Sequence, residues 1–95
     1  MSISAAVTAR KAGVDTGDLD LSEVSVRMMP YWMQVALGTS VAAITIGNNI
    51  FVAQDRYESV VSGKSPALLL HELVHVDQWR REGGVAFMSR YATEY

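Results

Sequence analysis

The stretch "SPALLLHELVHVDQWRR", residues 65–81, contains both histidines of the chain, four residues apart. Serine followed by proline is a strong helix start: serine caps the first turn, and proline's fixed φ suits it. From Ala67 to Arg81 nothing breaks a helix, and Gly83-Gly84 stops it. Leu69, Leu70, Leu73, Val74 and Val76 cover so wide an arc that the first half of this helix is expected to be largely buried.

On such a helix His71 and His75 project from one face with Cβ atoms about 6 Å apart, so both imidazoles can reach one ion. Glu72 flanks that face. The pattern is His-Glu-x-x-His: two ligands, and a carboxylate placed to take a proton from water activated by the ion. The competing reading is two surface histidines on an amphipathic helix. It sits badly with the Leu and Val residues around them, because burying unpartnered imidazoles is costly. The expected cofactor is Zn2+.

A catalytic zinc needs a third protein ligand and an open position. The chain has no further histidine and no cysteine, so the third ligand has to be a carboxylate. Glu82 lies on the same face as His75, but roughly 10 Å down the axis, too far to share the ion. In the tail "VAFMSRYATEY", residues 85–95, Val85, Met88 and Tyr91-Ala92 recur at helical spacing. An antiparallel return through the Gly-Gly turn brings Glu94 back near the level of His75, so Glu94 is the expected third ligand. Asp55, Glu58 and Asp77 are the remaining candidates. Asp77 otherwise reads as solvated or as an outer partner of a ring N–H. Trp79 reads as core or pocket wall. A donor for a developing oxyanion is open among Tyr31, Tyr57, Tyr91 and Tyr95.

Upstream, "SEVSVRMM" (residues 22–29) alternates Val24, Val26 and Met28 against Ser25 and Arg27, a half-buried strand pattern. Pro30 and Gly38 bracket a short helix over 31–37. Two β-branched and aromatic runs, 43–46 and 50–53, flank Gly47-Asn48-Asn49, residues that tolerate the positive φ of a tight hairpin. Residues 54–64 are polar and read as a loop. Residues 1–20 form an arm or a short helix, and residues 21–95 the domain proper.

Composition narrows the function classes. The chain has 95 residues, room for one small domain. The absence of cysteine excludes disulfides, thiolate metal sites and thiol nucleophiles. A net charge of −2, with basic residues scattered apart from Arg80, Arg81 and Arg90, leaves no footprint for nucleic acid. No long apolar run predicts a membrane span, and the first twenty residues lack the apolar core of a signal peptide. The expected location is cytoplasmic by default, with leaderless export left open.

"HELVH" (71–75) followed by a downstream glutamate resembles the gluzincin metallopeptidases. That resemblance implies that His71, His75 and Glu94 hold zinc while Glu72 is general base. More specifically, "AITIGNNIFV" (43–52) leading through a loop into "LLLHELVHVDQW" (68–79) resembles the core domain of extracellular contractile injection systems, over roughly residues 22–80. In size the chain also resembles the single-domain minigluzincins. These likenesses imply an α+β, zincin-like domain: a short sheet with a hairpin packed on the His-Glu helix, then a C-terminal helix carrying Glu94. They imply an edge strand for an extended peptide, for which residues 50–54 are the candidate. The thermolysin-type pattern Asn-Glu-x-x-Ser-Asp around the third ligand is absent; here the tail reads "YATEY". The expected function is a zinc-dependent metallopeptidase, active or latent, acting on a peptide or protein substrate. The alternative is a non-catalytic zinc-binding module that serves assembly with a protein partner.

Overall fold

The computed structural model describes residues 2–38, 40–82 and 93–94. The hairpin is the organising element. Strand β3 (Val41–Ile46) turns through Gly47-Asn48 into β4 (Asn49–Val52), with Ile46 opposite Asn49. Gly47 takes φ +61, and no non-glycine residue described has positive φ. A two-residue loop with positive φ at its first position alone is the type II′ turn, whose twist matches that of the strands it joins.

Strand β2 (Ser25–Met28) pairs parallel to β4, from Ser25 opposite Asn49 to Met28 opposite Val52. Parallel neighbours need a crossover, which here runs through α2 (Tyr31–Leu37) and β3. The sheet is completed by β1 (Ser2–Ser4), antiparallel to β2, and by β5 (Thr93–Glu94), antiparallel to β3. The strand order is β1-β2-β4-β3-β5. The domain is thus a small α+β fold, as expected.

Alternation along the strands sorts the side chains into two cores. Val26, Ala43, Ile50 and Val52 face a layer of three helices: α1 (Ala5–Ala12), α3 (Gln54–Val61) and α4 (Pro66–Glu82). These contribute Ala5 and Ala9, then Tyr57, Val60 and Val61, then Leu68, Leu69, Leu73 and Val76. Ile44 and Phe51 face the other way, against Met33 and Leu37 of α2 and Met29 just before it, and Val41 joins them because the ladder shifts register between Val41 and Ala43.

Four features differ from the sequence reading. Residues 54–64 are not a loop, because most of the stretch is α3: its Tyr57, Val60 and Val61, at spacings of three and four, supply a narrow apolar stripe that polar neighbours hide. The N-terminal segment, read as an arm or a short helix outside the domain proper, does hold a short helix, α1, but is built into the domain, since β1 pairs with β2 and Ala5 and Ala9 are buried. Residues 50–54 are not a sheet edge, because β4 lies between β2 and β3. Glu94 lies in a strand and not in a helix, paired with Val41. The rest of the helix expected from Val85 to Glu94 lies outside the described residues.

Candidate metal centre

α4 crosses the sheet at β3. Leu68, Leu69, Leu73 and Val76 are buried in the larger core, which fixes the rotation of the helix about its axis. That rotation leaves His71 exposed and His75 partly exposed, both on one flank. Their rings meet edge to face, with centroids 4.8 Å apart and an interplanar angle of 77°. Nε2 of His71 is 3.1 Å from Nε2 of His75.

This spacing can be tested against a zinc ion. Tetrahedral zinc with Zn–N bonds of about 2.0–2.1 Å needs ligand nitrogens about 3.3 Å apart. The observed 3.1 Å is close enough that a small adjustment of either χ angle admits the ion. The outer shell agrees. Nδ1 of His75 is 3.0 Å from Oε1 of Gln78, so the ring N–H donates there and the lone pair is directed to Nε2. The two histidines therefore suit a metal. Among the described residues no third His, Cys, Asp or Glu side chain joins them.

Glu72 is turned about 100° from His71 around the helix, toward the sheet. It is fully buried. The Thr45 hydroxyl, also fully buried on β3, donates to Glu72 Oε1 at 2.9 Å. A buried carboxylate is tolerated only when hydrogen-bonded, and Thr45 is the group on the strand that meets that need.

The other candidates fall elsewhere. Asp77 makes an ion pair with Arg81 one turn on, at 3.0 Å, and it is Gln78 that holds the His75 ring. Asp55 and Glu58 are exposed on α3. Glu94 is placed by its backbone in β5, and its side chain lies outside the described residues. Trp79 is partly buried, packs against the smaller core and lies over Gly47 of the hairpin turn. Of the tyrosines, Tyr57 is in the larger core and Tyr31 is exposed on α2. Two partners were not anticipated from sequence. Gln78 could have been found, being three residues after His75 on the same helix face. Thr45 had only a faint signal: it is the one polar residue in "VAAITI".

Comparison with known proteins identifies a family. The profile of the eCIS core domain matches residues 5–83, most of the chain. The chain belongs to the eCIS core domain family. The match to this eCIS core domain begins at the first residue of α1 and runs just past the end of α4, so both helices and the hairpin between them fall inside it. No curated protein and no solved structure matches the chain.

Proposed function

We propose that this eCIS core domain is a zinc-dependent peptidase of gluzincin type, held active or latent within an assembly. The observation that carries this reading is the approach of the two Nε2 atoms to 3.1 Å on one flank of the helix that also carries Glu72. His71 and His75 would hold the ion. Bound zinc supplies a Lewis acid that polarises a carbonyl and makes water acidic enough to ionise near neutral pH. Glu72 accepts the proton of the attacking water and returns it to the leaving amine as the peptide C–N bond breaks. Thr45 is a positioning residue: its hydroxyl fixes one oxygen of that carboxylate. Gln78 fixes the His75 tautomer.

The third ligand in this reading is Glu94. Pairing with Val41 sets its backbone beside the strand that carries Thr45, but four residues along it, roughly 13 Å. Glu94→Ala is expected to weaken zinc binding by about tenfold or more. Unchanged affinity in competitive chelation assigns the position to another carboxylate.

A second reading is a non-catalytic zinc module serving assembly. The complete burial of Glu72 and its bond to Thr45 favour it, because the pair then ties α4 to β3. Glu72→Gln separates the two readings. The amide keeps an acceptor for Thr45 but cannot take a proton. On the peptidase reading the variant binds zinc, folds, and no longer cleaves a peptide library that the parent cleaves. Cleavage surviving in Glu72→Gln rules out the assigned base, and a zinc-loaded parent that cleaves nothing leaves the assembly role.

A further inference from the structure

The opposite flank of α4, away from the histidines, borders an open groove of about 550 Å³ shared with the segment 15–20. Leu19, Leu70, Leu73 and Val74 form its apolar part. Leu70 and Val74 are nearly half exposed, although the rest of the apolar arc of this helix is buried. Asp15, Asp18 and Asp20 border that floor, as does Asp77, whose charge is paired with Arg81. No basic residue lies between Lys11 and Arg27, an interval that holds Asp15, Asp18, Asp20 and Glu23. The cation that lines the groove is Arg80, and it is committed: Nη1 donates to the Asp20 carbonyl at 2.6 Å and Nη2 to Asn48 Oδ1 at 3.3 Å. Hydrogen bonds also hold two of the carboxylates in place, from the Gly17 N–H to Asp15 and from the Ser22 N–H to Asp20, each at 2.9 Å.

We propose that this groove docks a basic amphipathic helix from a protein partner. The argument is charge and shape. An apolar floor ringed by carboxylates is complementary to a segment with one apolar face and flanking Lys or Arg. The groove runs along α4 from Leu70 to Arg80, about 15 Å, which matches nearly three turns of helix. Its walls are a helix and a coil segment, so it offers no strand edge to satisfy an extended peptide. A helix brings its own backbone bonds satisfied. This surface does not depend on the metal centre, so failure of one proposal leaves the other standing.

The probe is a fluorescein-labelled helical peptide of about 14 residues, with Leu at i, i+3, i+4 and i+7 and Lys elsewhere. A scrambled peptide of equal composition is the control. Anisotropy is read on the full chain, on Asp15→Asn/Asp18→Asn, and on Asp55→Asn/Glu58→Gln. The last variant removes equal charge from exposed positions on α3. The amphipathic peptide is expected to bind at least about tenfold tighter than the scrambled one, and the groove variant to lose roughly tenfold in affinity while the α3 variant stays within about twofold of the parent. Equal binding of the scrambled peptide overturns the proposal, as does equal loss in both variants. So does displacement by about 1 mM Ca2+ at constant ionic strength, which would make the carboxylates a cation site. A self-associated chain that excludes the peptide, seen by sedimentation, overturns it in favour of a second copy.

Discussion

The Thr45 hydroxyl donates to Glu72 across 2.9 Å, with both side chains fully buried, and so joins the hairpin end of β3 to α4. The bond makes a stability prediction separate from any activity. In Thr45→Val the shape is kept and the donor is lost, leaving a buried carboxylate with one bond fewer. A loss of about 1–3 kcal/mol is expected in urea unfolding. Thr45→Ser keeps the hydroxyl and is expected to cost less than about 1.5 kcal/mol, for a buried methyl group. Equal losses in the two variants would mean that packing, and not the hydrogen bond, is what Thr45 contributes.

Gln78 predicts a metal effect without a fold effect. It is only partly buried, and its carbonyl accepts from the His75 ring at 3.0 Å. Gln78→Ala frees the imidazole to rotate and to change tautomer. Zinc affinity is expected to fall about 10–100-fold, the usual cost of removing an outer-shell partner. His71→Ala and His75→Ala serve as the reference for complete loss. Competitive chelation gives all three values on one scale.

What could be read from sequence was local. The extent of α4, the short helix α2 between Pro30 and Gly38, and the hairpin through Gly47 each depend on neighbours a few residues apart, and each falls where the pattern puts it. What was missed depends on distant contacts. α3 looks polar until Tyr57, Val60 and Val61 are seen against Leu68 and Leu73. The parallel pairing of β2 with β4 joins residues 24 apart in sequence and turns the supposed edge strand into a central one. The same holds at the candidate site. The pairing of His71 and His75 follows from helical spacing alone. Thr45 is 27 residues from Glu72 and becomes its partner only through the packing of α4 on β3.

Gly63 tests how α1 is seated. It follows α3 with φ +84, and a Cβ there would lie 2.6 Å from the carbonyl oxygen of Lys11 and 2.9 Å from the nitrogen of Ala12. Those are backbone atoms that cannot swing aside as a side chain would. Gly63→Ala therefore combines left-handed strain with a collision, and a loss of more than about 2 kcal/mol is expected. Gly13→Ala is the comparison: φ is +69 there, but nothing lies within 4 Å of the added carbon. It should show the conformational cost of about 1–2 kcal/mol alone. Equal losses would mean that α1 moves freely relative to the end of α3.

Tyr57 is the group whose removal should strengthen the fold. Its ring is buried in the larger core, and among the described residues its hydroxyl has no hydrogen-bond partner. A buried unpaired hydroxyl costs about 1–3 kcal/mol, so Tyr57→Phe, which keeps the ring, is expected to gain roughly 1 kcal/mol in urea unfolding at pH 7. The pH dependence sharpens the test. Burial, with the nearby charge of Glu58 as the smaller cause, pushes the phenol above its ordinary value of 10.0. The folded chain thus holds the proton in a range where the unfolded chain has released it, and stability falls as pH rises above about 10. Below that pH both states keep the proton and Tyr57 adds no slope. The advantage of Tyr57→Phe over the parent should therefore widen between about pH 9 and pH 11. A gap that stays constant across that range would mean that the phenol ionises as easily in the fold as outside it.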